Sequence, residues 1–196
     1  MKKTWIALLA ACVLLAVSLS ALGEAAPAYE PLNFGDFSMA IDPEMAYSGT
    51  PSEKPADSQV WFMLFPAHNV NGNDRINFNV VWSSNVADVT DITGSEESYK
   101  ATLQQSVSSQ YATQGITLSS FSVPFIQTQD LNGKTALAYI MISELNVNGE
   151  TATVYQLQAI VSEEGMGTYT FTGSANTMEE LETWVDPLFD SITWNK

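Results

Sequence analysis

Two stretches, Val60–Phe65 (VWFMLF) and Ala136–Ile142 (ALAYIMI), are apolar at every position. A strand sends successive side chains to opposite faces, so an unbroken apolar run needs cover on both. A sheet with one wet face is thereby excluded. Elsewhere the strands alternate: Ile76, Phe78, Val80 and Trp82 fall on one side, Asn77 and Asn79 on the other. Phe37, Met39 and Ile41 form a first strand that Pro43 ends, and later strands centre on Phe121-Val123-Phe125, Val154–Val161 and Thr168–Thr172. Asn-Gly pairs at 71–72, 132–133 and 148–149 read as hairpin tips.

Two segments change to helical spacing. Tyr99, Leu103, Val107 and Tyr111 recur every four residues between Glu96 and Gln114, with Ser95 placed to cap the start and Gly115 to close the end. Near the C-terminus, Met178, Leu181, Trp184, Val185, Leu188, Phe189 and Ile192 share a face, and Thr177 with Glu180 makes a capping box. Pro187 removes a backbone donor there, so a kink or a fresh start is expected, with Asp186 capping a second short helix. Tyr47–Ser58 is polar and punctuated by prolines, the stretch expected to move. Together these elements predict an α+β fold, a three-layer α/β/α sandwich around a mainly antiparallel sheet of about six or seven strands.

The segments FGDFSMAIDP (34–43), NGKTALAYIMI (132–142), GTYTFTGSA (167–175) and FDSITW (189–194), in that order, resemble the PsbP-like family. That fold is shared by a photosystem II extrinsic subunit, a Ran-binding nuclear import factor and many secreted bacterial domains. The resemblance spans residues 33–196. The chain departs from the family pattern in having Asp42 before Pro43 and no tryptophan soon after it. The resemblance implies a module that binds partners through its surface and turns over no substrate.

The N-terminus carries Lys2 and Lys3, an apolar run from Trp5 to Leu22, and small residues around Ala21-Leu22-Gly23. This is the pattern of an export signal over 1–23, cleaved after Gly23, followed by a flexible tether over 24–32 and one domain over 33–196. A membrane anchor and lipidation at Cys12 are the rival readings. The first is disfavoured by the small residues and Glu24, the second because Val13–Val17 continues the apolar run where a polar tether belongs. After such cleavage no cysteine remains, so neither a disulfide nor a thiolate site is available.

All 22 acidic residues but only five of the seven basic ones lie after Gly23, so the exported part carries 5 − 22 = −17. Nucleic acid and anionic lipid are excluded as partners, since either needs a basic face. A cationic protein or cell surface fits instead.

His68 is the sole histidine and sits at an expected hairpin tip, which removes most nucleophilic and acid–base schemes. No phosphate loop, dinucleotide fingerprint or zinc-protease helix occurs. Glu163-Glu164 reads as a turn and Glu179-Glu180 as a helix start. Two stretches offer oxygen ligands for calcium: Asn69, Asn71, Asn73 and Asp74, which lack the carboxylate spacing of an EF-hand loop, and Asp88, Asp91, Glu96 and Glu97, which also suit a helix N-terminus. Trp61 and Trp184 lie inside apolar patterns and are expected in the core; Trp82 and Trp194 sit at element ends, where partial exposure is expected. No catalytic, cofactor-binding or metal-binding residue is assigned. The reading is a secreted, non-enzymatic accessory or binding module. The alternatives are an enzyme, hydrolytic or metal-dependent, without a recognisable motif and a calcium-stabilised surface or adhesion protein. An enzyme would show a deep cleft with perturbed carboxylates, a binding module a shallow apolar patch over a filled interior.

Overall fold

Hairpins set the order of the sheet. The computed structural model describes residues 24–25, 31–42, 45–56, 59–67, 76–89, 96–147 and 149–195. At the Asn132-Gly133 tip both residues have positive φ, 53° and 97°, the twist that a two-residue hairpin needs. It joins β7 (Thr117–Leu131) to β8 (Lys134–Val147), which pairs with β9 (Glu150–Glu163) and through it with β10 (Gly167–Ala175). The sheet continues from β10 through β6 (Asn77–Ser83), β5 (Gln59–Pro66) and β4 (Met45–Ser48) to β1 (Glu24–Ala25), every pairing antiparallel. A second sheet holds β11 (Thr193–Trp194), β3 (Phe37–Met39) and β2 (Leu32–Asn33).

The fold is therefore mostly antiparallel sheet with few helices; among the described residues the main sheet holds eight strands, the two-residue β1 included, and the second sheet three. Three of the strands not expected from the sequence are two-residue pairings, Glu24–Ala25 on β4 and Leu32–Asn33 and Thr193–Trp194 on β3, too short to leave a period in the sequence. Glu24, Ala25 and Leu32 lie in the stretch expected to be a tether. The loop read as beginning at Tyr47 likewise contributes its first residues to β4.

Directly paired residues share a face, so the register shows what each side carries. Phe62, Val80, Phe171, Ala159 and Ala138 form one row; Met63, Asn79, Thr172, Gln158 and Tyr139 form the next, on the opposite face. The first face packs against Leu181, Val185, Leu188 and Phe189 in the main core. The opposite face packs Leu137, Tyr139, Met141 and Ile160 against Leu103, Val107 and Tyr111 of α1 (Glu96–Thr113). Ala46, Met63 and Phe65 make a small cluster of their own. Trp61–Phe65, Ala136–Tyr139 and Met141 are buried whichever face they point to, whereas Val60, Ile140 and Ile142 stay half-buried.

Gly115, at φ +73°, ends α1 by letting Ile116 donate back to the Tyr111 carbonyl, 3.0 Å, and Gly115 to Ala112, 3.1 Å. At the C-terminus α2 (Met178–Glu180) starts with the Thr177–Glu180 capping box, widens into a π turn over Leu181–Val185 and continues as α3 (Asp186–Ser191). Of the two outcomes expected at Pro187, a kink or a fresh start, the fresh start does not occur. Asp186 makes no capping bond; the helix runs on through Pro187, and the π turn accommodates the missing donor. Val185 is buried, and half-buried Trp184 packs against the same core. Val185 seats on Gly173, where an added Cβ would meet its Cγ1 at 2.0 Å.

Residues 1–23, with Cys12, and also His68, Asn69–Asp74, Asp91, Ser95 and Asn148, lie outside the described residues.

Candidate functional site

A β-bulge begins the site. The β5–β6 register shifts between Val60 and Phe62, which brings Trp61 into the same core as Phe62 instead of opposite it. Trp82, at the end of β6, lies directly across from Tyr169 of β10, so their rings share that face. Gly167 lets Trp82 lie flat, since a Cβ there would come within 2.4 Å of the Ser83 carbonyl and 3.0 Å of Trp82 Nε1. Asp36 arrives from the turn before β3, where Phe34 N–H donates to the Phe37 carbonyl at 2.8 Å and Gly35 has φ +85°. These four side chains surround the ammonium of Lys54. Its Nζ lies 4.7 Å from the Trp82 ring centre, 5.3 Å from that of Tyr169 and 5.8 Å from that of Trp61, and donates to Asp36 Oδ2 at 2.7 Å.

Each wall of this cage is held by something other than the lysine. Trp61 Nε1 donates to the Thr50 carbonyl at 3.0 Å, Trp82 Nε1 to the Met166 carbonyl at 3.1 Å, and the Tyr169 hydroxyl to Asp36 Oδ2. Partial burial by itself would raise the Asp36 pKa, but the hydrogen bonds from Lys54 and Tyr169 and the lysine charge outweigh it and hold the carboxyl below its ordinary value. Burial, then the Asp36 carboxylate, push the Tyr169 phenol far up, so it stays a neutral donor. An ionised, hydrogen-bonded carboxylate with three ring systems around one cation is a recognition arrangement for alkylammonium groups. It holds a charge in place.

Two further features lie on the sheet. Phe125, Ile140 and Leu157 form one register row and Ile142 and Tyr155 belong to the next on the same face, all half-buried, with Leu157 and Tyr155 packed against the rim of the main core. This is a shallow apolar strip. The opposite face carries a fully buried polar ladder: Gln158 accepts from the Tyr139 hydroxyl and donates to Thr172 Oγ1 at 2.8 Å, and Gln156 donates to Ser174 Oγ at 3.1 Å. In that ladder Asn79 Oδ1, Ser143 Oγ, Gln156 Oε1 and Thr170 Oγ1 have no hydrogen-bond partner among the described residues.

The sequence candidates are dispersed. Glu163 pairs with Lys134, Glu164 lies in the following turn, and Glu180 serves the capping box beside Glu179. Glu96 and Glu97 engage Lys100 at 2.7 and 3.6 Å, and Asp88 is exposed at the end of the preceding segment. Among the described residues no three His, Cys, Asp or Glu side chains converge as metal ligands. Burial first, then Asp190 and Glu182, raise the Asp186 carboxyl, but these acids share one helical segment and face no cleft partner. Trp61 is buried and Trp82 and Trp194 half-buried, as expected, and Trp184 packs against the main core while keeping part of its surface in solvent. The sequence reading missed Asp36, Lys54 and Tyr169. The available signal was slight: Lys54 is the only cation between Glu24 and Asp74.

No family model matches the chain, and no curated protein sequence matches it. Among solved structures it is similar to cyanobacterial PsbP (CyanoP) from Synechocystis sp. PCC 6803, 14% identical with a TM-score of 0.53, over 91% of this chain and 98% of that one. The fold is PsbP-like. Looser likenesses are to the immunity protein TplEi of the T6SS from Pseudomonas aeruginosa (11% identical, TM-score 0.44, 84% of this chain and 75% of that one) and to LpqN, involved in cell envelope biogenesis of Mycobacterium tuberculosis (15% identical, TM-score 0.39, 85% and 90%). Within the PsbP-like sheet the cage lies at the Trp82 and Tyr169 end of β6 and β10, and the apolar strip runs toward the edge strand β7. Among the described residues, no helix is long and apolar enough to cross a membrane.

Proposed function

We propose that this protein is an exported, non-enzymatic PsbP-like module that binds a partner through its surface, the partner presenting cationic groups. The observation that carries the reading is the cage: Asp36, Trp61, Trp82 and Tyr169, drawn from separate strands and turns, close around one ammonium. A charge of −17 after Gly23 supports it, because such a field speeds encounter with basic surfaces and repels acidic ones. The shallow strip of Phe125, Ile140 and Leu157 is the kind of surface a binding module offers. In this reading residues 33–196 form one domain, α1 and the C-terminal helix are the outer layers of a three-layer sandwich, and export follows cleavage after Gly23.

The test is association of the purified protein with a lysine-rich peptide and with an acidic control at low and at physiological salt. Salt-weakened binding of the basic peptide alone is expected. Salt-indifferent binding confined to the apolar strip would remove the electrostatic part of the reading. Turnover of a substrate, abolished by a carboxylate substitution, would overturn the whole of it.

A further inference from the structure

The cage is already filled, and by the protein itself. Lys54 projects from the segment between β4 and β5, whose neighbours Ser52, Glu53 and Ala56 are exposed. The segment is anchored at its base, where Gly49 lies against the Trp61 backbone so closely that a Cβ would come within 2.3 Å of the carbonyl, and where Thr50 accepts from Trp61 Nε1. Beyond Thr50 the Glu53 N–H donates to the Thr50 carbonyl at 3.0 Å and the Lys54 ammonium to Asp36. The walls are therefore built and the occupant is tethered. Tyr169 is fully buried and Trp61 nearly so, while the Lys54 side chain keeps 34% of its surface in solvent.

We propose that Lys54 is a displaceable internal ligand: the cage is a binding site for a primary alkylammonium group, and the 49–56 segment occupies it until an external amine takes its place. This rests on reading the cage as a recognition site. The ligand class follows from the contacts. Ring faces attract any cation, but Asp36 Oδ2 accepts a hydrogen bond from Lys54 Nζ at 2.7 Å, which a quaternary ammonium cannot supply. A ligand must therefore carry N–H. The tethered lysine competes at an effective concentration in the roughly millimolar range typical of short flexible connections, so it masks the intrinsic affinity of the site.

The experiment titrates the full protein with n-butylammonium, with tetramethylammonium, and with a peptide bearing one lysine and its acetylated counterpart, following tryptophan fluorescence and amide resonances. Lys54→Ala and Lys54→Gln are expected to bind n-butylammonium at least about tenfold more tightly than the unmodified protein. Tetramethylammonium should bind more weakly, and the acetylated peptide should give no saturable shift. Trp82→Ala placed on Lys54→Ala should abolish the gain. In the unmodified protein, saturating n-butylammonium should return the ring-shifted Lys54 methylene resonances to their solvent values, which needs no variant to fold. A tighter lysine peptide than n-butylammonium would identify a macromolecular source, the reverse a free amine; both support the site. Equal affinities with and without Lys54, or no binding to a folded Lys54→Ala protein, would overturn the proposal. The module reading would survive that result if salt-dependent binding of the lysine-rich peptide persisted unchanged in Asp36→Asn.

Discussion

The Tyr169 hydroxyl donates to the Asp36 carboxylate across 133 residues of sequence, tying the turn before β3 to the centre of the main sheet. The same oxygen accepts from Lys54, so one carboxylate holds a strand, a turn and a loop together. Asp36→Asn should cost about 1 kcal/mol at neutral pH, the low end for a charge-assisted bond because 39% of the side chain is in solvent. The folded pKa of Asp36 lies below its ordinary value of 3.8, so its contribution is present above about pH 4 and is lost as pH falls through the folded value. Urea titrations at pH 7 and near pH 2 check this: the gap between the two proteins should close in acid.

Gly173→Ala should destabilise by about 1 to 3 kcal/mol, because the new methyl would sit 2.0 Å from Val185 Cγ1 and push the C-terminal helix off the sheet. Adding Val185→Ala should recover part of the loss. A double-mutant cycle reads the coupling, and additive losses would mean the helix does not seat there.

Asn132 holds a left-handed φ of 53° in the β7–β8 turn while its Nδ2 donates to the carbonyls of Phe189, Asp190 and Ile192 at 3.2, 3.4 and 2.7 Å. Asn132→Gly keeps the turn and removes the cap, with an expected cost of about 1 kcal/mol. Asn132→Ala should cost about 1 to 2 kcal/mol more, since it also strains the turn. Amide exchange in α3 should speed up in both variants.

Thr170 is buried with its Oγ1 unpartnered, in a ladder where Asn79, Gln156 and Ser143 each also leave an oxygen unpartnered. Thr170→Val keeps the shape and discards the unpaired hydroxyl, so stability should rise by about 1 kcal/mol in thermal melts. A loss of similar size would show that the hydroxyl is hydrogen-bonded in solution.

Much of the sheet was legible because burial leaves a period. The continuous runs at Val60–Phe65 and Ala136–Ile142 announced cover on both faces, and Asn132-Gly133 announced a hairpin, from side-chain alternation and backbone chemistry that act over a few residues. The cage was not legible. Trp61 stood out only as a core residue, and nothing local says that a bulge turns it toward Tyr169, or that a lysine in a proline-punctuated loop will find both. The π turn was hidden for the same reason: Pro187 signals a lost donor, but whether a helix restarts or widens depends on where Val185 must sit against Gly173.

By itself, then, the sequence determined the periodic elements, the Asn132-Gly133 hairpin tip, the Thr177–Glu180 cap and the acidic field, since each follows from residues within one or two turns of one another or from a sum of charges. Only the tertiary structure decided the pairing of Glu24–Ala25 and Leu32–Asn33, the meeting of Asp36, Lys54 and Tyr169, and the unpartnered oxygens inside the ladder. Those depend on which distant segments share the sheet's space, and contacts between residues far apart in the chain leave no local pattern to read.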